Sequence, residues 1–207
     1  MQNTKEQSKI ILQKNIEKNI LKIEDIEKFY INNNFQSKYG LEYERLSLNK
    51  KTLENATYED MSKIISDFSG ILNWELVYDE DTIIGAKDKI GNSISLEPGC
   101  QLEISLKPEE NILDIDLNLT KYTALLDKIA DIYDVCFLGY GVSPLSNVDN
   151  IKLLNKRRYK VMNNYLPHCQ YGELCPKMMR QTAGIQVNID YKNNVDAYNK
   201  LEFLNLI

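Results

Sequence analysis

Histidine is almost missing: His168 stands alone in 207 residues. Chemistry that needs two or three imidazoles, such as a multi-histidine zinc centre, is thereby excluded. Cysteine is scarce as well. Cys100, Cys136, Cys169 and Cys175 are too few and too irregularly placed for a disulfide scaffold in a chain of this length, and they read as free thiols. His168-Cys169 with Cys175 offers three metal ligands at most and none of the CxxC spacing of zinc sites. No apolar run approaches the roughly 20 residues of a membrane-spanning helix. The start Met1-Gln2-Asn3-Thr4-Lys5-Glu6 lacks a signal-peptide shape. The expectation is a cytoplasmic protein without a membrane partner. Positive charge is in deficit, 25 Lys and Arg against 30 Asp and Glu, for a net charge of -5. A basic surface for gripping phosphates is therefore lacking, and nucleic acid is not an expected partner.

What remains is 43% hydrophobic and 27% charged, the composition of a globular chain long enough to bury a sizeable core. Leu12, Ile16, Ile20, Ile23, Ile26 and Tyr30 recur at helical spacing and predict an amphipathic opening helix over Thr4 to Ile31. Lys38 to Leu48 alternates as a strand, with Glu42 and Glu44 on one face. Met61, Ile64, Ile65 and Phe68 predict a helix over Tyr58 to Leu72. Strands follow at Trp74 to Tyr78, Thr82 to Lys87, Ser93 to Leu96 and Gln101 to Ser105, with Gly85, Gly91 and Pro98-Gly99 as turns. A long helix is expected over Glu109 to Tyr133, a buried strand over Cys136 to Tyr140 and a basic helix over Lys156 to Tyr165. A strand over Ala183 to Tyr191 and a helix from Asn194 onward complete the chain. Strands grouped with helices inserted between them predict an α+β fold with a largely antiparallel sheet and helices on one face. The expected division is a helical segment 1–37, a sheet-containing core 38–191 and a C-terminal helix 192–207, within a single partial catalytic domain.

Three strands carry polar residues at two-residue spacing: Glu42 and Glu44; Gln101, Glu103 and Ser105; Gln186, Asn188 and Asp190. In the third, Ile185, Val187 and Ile189 supply the apolar face. Polar-out alternation is the default of a one-sided antiparallel sheet, so solvation alone accounts for any single strand. Taken together, with Glu97 in the turn Leu96-Glu97-Pro98-Gly99, they predict a carboxylate-lined polar face. Converging carboxylates repel one another, and a hard divalent cation with oxygen ligands, Mg²⁺ above all, relieves that repulsion. Lys156-Arg157-Arg158-Tyr159-Lys160 is the densest basic run. A charge run on a helix is ordinarily a solvated face, but an Arg there suits bidentate capture of an anionic substrate.

Several stretches, in order and spacing, resemble glutamate-cysteine ligase of the plant and proteobacterial type. They are Gly40-Leu41-Glu42-Tyr43-Glu44, Ile83-Ile84-Gly85, and Ser93-Ile94-Ser95-Leu96-Glu97-Pro98-Gly99-Cys100-Gln101-Leu102-Glu103-Ile104-Ser105. Arg158-Tyr159 with Met162 follows, then Met178-Met179 and Gln186-Val187-Asn188-Ile189-Asp190. The resemblance implies a glutamine-synthetase-like fold, here incomplete, with ATP and Mg²⁺ as cofactors and glutamate and cysteine as substrates. ATP would phosphorylate the glutamate side-chain carboxylate, and the cysteine amine would displace the phosphate to give γ-glutamylcysteine, a step of glutathione biosynthesis. It further implies Glu42, Glu44 and Glu103 as Mg²⁺ ligands, Glu97 and Gln186 as their neighbours, and Arg158 as the holder of substrate charge. Cys100 stands where the family usually has a second glycine, Gln181 where many plant-type members have arginine, and Val142-Ser143-Pro144 where a Phe-Gln-Pro-like segment is common. Two other readings stay open. One is a non-catalytic metal or small-molecule binding fragment that needs a separate C-terminal half or associates with itself. The other is a carboxylate-amine ligase with a different acceptor.

Overall fold

The computed structural model describes residues 35–206; the expected opening helix over Thr4 to Ile31 lies outside them. Seven strands, β1 Tyr39–Asn49, β2 Glu75–Asp79, β3 Thr82–Lys87, β4 Ser93–Leu96, β5 Leu102–Glu109, β6 Val135–Leu138 and β7 Ile185–Ile189, form one antiparallel sheet. The helices are α1 Tyr58–Leu72, α2 Ile112–Ile132, α3 Arg157–Tyr165, α4 Cys175–Gln181 and α5 Asn194–Leu204, with short 3-10 turns between. The strand order is β2-β3-β4-β5-β1-β6, and β7 lies along the first half of β1. Because Tyr39 to Tyr43 pair with both β5 and β7, the first half of β1 is an inner strand, and β6 takes over its second half from Leu46.

Local chemistry explains several boundaries. Thr57 caps α1 by accepting the Asp60 N–H at 3.2 Å, and Asn73 ends it in the left-handed region at φ 54. Asn111 caps α2 through the Leu113 N–H at 3.0 Å. Between β3 and β4, Asp88 Oδ1 accepts the N–H groups of Ile90, Gly91 and Asn92 at 2.8 to 2.9 Å, and Gly91 supplies the φ of 111 that the turn needs. Gly85 is no turn. It sits inside β3 opposite Ser95, where an added Cβ would run into the Ile94 carbonyl and lie 3.1 Å from Ser95 Cα.

The α+β class and the antiparallel sheet are as the sequence implies. Met61, Ile64, Ile65 and Phe68 of α1 are fully buried, packed with Ile115, Tyr122, Leu126 and Ile129 of α2 over Ile94, Leu96, Leu102 and Ile104 of the sheet. Phe68, Trp74 and Tyr122 meet edge to face with centroids 5.2 to 6.0 Å apart. Arg45, on this apolar face, reaches Asp127 of α2 at 2.8 Å and donates to the Phe137 carbonyl at 3.1 Å, so its buried charge is satisfied. The expected β7 alternation does not produce a covered apolar face. Ile185 and Val187 are 67% and 60% exposed, because β7 lies at the sheet margin beyond the two helices.

The described residues divide into two compact units, Lys38–Ile189 and the stretches on either side of it. In the smaller unit the Gln36 N–H donates to Asp190 at 3.0 Å. Lys200 donates to the Asp190 carbonyl at 2.7 Å and to Asp196 at 2.8 Å, with its ammonium 5.5 Å from the Phe35 ring centroid.

Candidate active site

Glu42 and Glu44 are two residues apart on β1, so both leave the sheet on the face opposite α1 and α2. Register decides what they meet. Glu103 of β5 stands directly opposite Glu44, Ser105 opposite Glu42, Ser95 of β4 opposite Glu103, and Gln186 of β7 opposite Glu42. Opposed Cβ atoms in an antiparallel pair lie about 4.5–5.5 Å apart, so Glu44 and Glu103 form a like-charge pair that opposes folding without a counter-charge. Each carboxylate has some support. Glu103 Oε1 accepts from Ser105 at 2.8 Å and Ser95 at 3.3 Å, Glu44 Oε2 from the Gly184 N–H at 2.7 Å, and Glu42 Oε1 from Asn188 at 3.3 Å.

Glu97 reaches the same face from the β4–β5 turn. The Cys100 N–H donates to the Glu97 carbonyl at 2.8 Å and the Glu97 N–H to the Gln101 carbonyl at 2.9 Å, with Cys100 in the left-handed region at φ 62. That backbone explains why a glycine suits position 100 and what the cysteine there must tolerate. Gln101, grouped in the sequence with the polar face, is instead 2% exposed. It accepts the Gly99 N–H at 2.7 Å and donates to the carbonyls of Met179 and Thr182 at 3.2 and 2.7 Å, tying the turn to the end of α4.

The electrostatics follow the geometry. Burial lifts the Glu44 carboxyl above its usual range, the Gly184 N–H pulls it back, and the charges of Glu103 and Glu42 push it up again. Burial likewise lifts Glu97, reinforced by Glu103 and Glu44 and opposed by Lys156 and Arg158. Lys156 is held low by burial and by Arg158, against the pull of Glu97, Asp79 and Glu103. Four carboxylates and two cations at the start of α3 therefore share one neighbourhood. Lys156, Arg157, Arg158, Val161 and Met162 with Asp79 also line a groove of about 510 Å³.

All six residues expected to form the site lie on this face or at its margin. Glu44 and Glu103 are in direct opposition, with Glu97 and Glu42 within electrostatic reach. Gln186 neighbours Glu42 on an exposed strand, and Arg158 faces Glu97. Among the described residues no three His, Cys, Asp or Glu side chains converge on one point. His168, Cys169 and Cys175 therefore form no such group. The donor set on the sheet face still fits Mg²⁺, because its groups are all oxygen donors. That ion is ordinarily held by one or two carboxylates with waters and substrate phosphates completing its octahedron. Sequence reading passed over Lys156, Gly184 and the hydroxyl of Tyr159 as parts of this neighbourhood, whereas Asn188 belonged to the polar face it expected. For Lys156 and Tyr159, the basic run was the available signal; Gly184 is recruited through its backbone and carries no sequence signal.

A family model described as glutamate-cysteine ligase family 2 matches residues 38–205. The chain is 32% identical over 161 residues to a chloroplastic glutamate–cysteine ligase of Nicotiana tabacum, covering 78% of this chain and 30% of that protein. The same figures hold for the chloroplastic protein of Arabidopsis thaliana. The chloroplastic glutamate–cysteine ligase A of Oryza sativa subsp. japonica is 30% identical, with 32% of its length covered. The chain thus spans about 30% of the relatives it matches. These relatives are chloroplastic, which overturns the cytoplasmic expectation. That expectation rested on missing apolar segments, and such segments report membrane crossing rather than compartment. No helix among the described residues is long and apolar enough to cross a membrane.

Proposed function

The chain belongs to glutamate-cysteine ligase family 2, and from that membership we propose that it is a partial catalytic domain of an ATP- and Mg²⁺-dependent ligase of glutamate and cysteine. In the proposed reaction the γ-phosphoryl group of ATP passes to the glutamate side-chain carboxylate. The cysteine amine then displaces phosphate to form the γ-glutamyl amide. The observation that carries the reading is the direct opposition of Glu44 and Glu103 beside Glu97, with Lys156 and Arg158 at the margin. Mg²⁺, when bound, supplies positive charge against the transferring phosphate. Glu44 and Glu103 would hold it, with Glu42, Glu97 and Gln186 beside them, while Arg158 takes a substrate carboxylate or phosphate. Isothermal titration of Mn²⁺ into the wild type and a Glu44→Gln, Glu103→Gln variant tests the assignment. Binding should be lost in the variant, and equal binding by both would end it.

The span of about 30% of its relatives favours a second reading, in which this chain binds metal or substrate but completes catalysis only with further family sequence. An open sheet face does not surround ATP or exclude water. On this reading, ADP release dependent on both glutamate and cysteine stays far below the roughly 10 s⁻¹ typical of enzymes. Turnover near that value by the purified chain would reject it.

A further inference from the structure

Tyr159 lies in the first turn of α3 and is 1% exposed, yet its surroundings are charged rather than apolar at one end. Lys156 Nζ is 4.8 Å and Arg158 Cζ 5.2 Å from its ring centroid, distances at which a cation is attracted to an aromatic face. Its hydroxyl has four polar neighbours. Lys156 Nζ at 3.4 Å and Arg158 Nη2 at 3.5 Å are donors, and the Leu96 carbonyl at 3.2 Å and Glu97 Oε1 at 3.3 Å are acceptors. A phenol carries one proton and accepts through its lone pairs, so it gives its hydrogen to Leu96 or Glu97 and receives from the cations. Arg157, between the two cations in the chain, makes no ring contact and no side-chain hydrogen bond among the described residues; its backbone N–H donates to Asp79 at 2.9 Å.

The geometry points to Tyr159 as a positioning residue that fixes Lys156 and Arg158 over the Glu97 end of the carboxylate face. Its bearing on substrate rests on the ligase reading above. A long cationic side chain held by nothing samples many rotamers, at about 2 kcal/mol of rotamer entropy to be lost when a ligand orders it. A buried ring that already orders Lys156 and Arg158 removes much of that loss before an anion arrives. The ring supplies the surface on which the cations lie. The hydroxyl supplies the tether to the β4–β5 turn, which the carboxylates share.

Side-chain ¹⁵N relaxation on the chain itself tests the coupling without any ligand. In the wild type the Arg158 Nε order parameter should lie above about 0.6, and that of neighbouring Arg157 below it, in the flexible range. In Tyr159→Phe, which keeps the buried ring and its cation contact but removes the hydroxyl tether, Arg158 should fall clearly below its wild-type value toward that of Arg157, while backbone order and the thermal transition stay close to wild type. A general loosening of α3 would instead move Arg157 and the backbone together. Affinity for ATP in the presence of Mg²⁺ should drop about fivefold in the same variant. Arg158 as mobile as Arg157 in the wild type, or still rigid in Tyr159→Phe, overturns the proposal. If Arg158 is released as expected but the wild type binds no ATP, the ligase reading fails and the positioning role of Tyr159 stands.

Discussion

At the scale of single residues, the β4–β5 turn shows how little room surrounds the site. An added Cβ on Gly99 would come within 2.9 Å of Arg180 Cα and closer still to the Arg180 carbonyl, both backbone groups that cannot swing aside. Gln101 is bound on both sides of that contact, to Gly99 and to the end of α4, so the turn cannot slide away without breaking buried hydrogen bonds. Gly99→Ala is therefore expected to cost about 1–3 kcal/mol by overpacking, which at this size lowers Tm by about 2–12 °C. Scanning calorimetry reads it, and an unchanged Tm would show that α4 yields. Cys100 tolerates its left-handed backbone with a thiol that burial pushes up to about 12, so it packs as a small apolar group and takes no part in ordinary thiol chemistry.

At the scale of elements, β7 differs from the other strands. Its sequence, Ile185 to Ile189, has neither charge nor proline, and every residue is exposed. An uncharged edge strand with Ile185, Val187 and Ile189 exposed is a template for pairing with other chains. The wild type should associate reversibly as concentration rises. Val187→Lys places a charge on the exposed strand at a position 60% exposed, where substitutions ordinarily change stability by less than about 0.5 kcal/mol. Light scattering over a concentration series should show the variant monomeric with an unaltered Tm. Equal association by both chains would locate the sticky surface elsewhere.

At the scale of the whole molecule, the carboxylate face sets a pH dependence. Glu44 and Glu97 are both held above the ordinary 4.5. The folded chain then binds their protons more tightly than the unfolded chain does. Stability from these two groups is thus present at low pH and is lost as pH rises through their folded values, above 4.5. A divalent cation favours the ionised form and offsets that loss. Millimolar Mg²⁺ is therefore expected to raise Tm more at pH 7.5 than at pH 4, below the ordinary carboxylate value. The Glu44→Gln, Glu103→Gln chain should show no Mg²⁺ effect at either pH, and an equal shift in that chain would detach the metal from this face.

Much of this was legible from the chain alone, where the determining interactions are local. The bounds of α1 agree residue for residue with the apolar spacing from Met61 to Phe68, because Thr57 and Asn73 cap the helix from within a few residues. The common face of Glu42 and Glu44 follows from strand geometry alone. Tertiary structure decided the rest, because register and burial join residues far apart in sequence. Only the pairing of β1 with β5 puts Glu103 against Glu44, and only the docking of α3 brings Lys156, Arg158 and Tyr159 to Glu97. Gln101 alternates like a surface residue yet is buried by α4, and Ile185 and Val187 alternate like core residues yet stay bare. In both cases alternation states which face a side chain takes, and only the packing of other elements determines whether that face is covered.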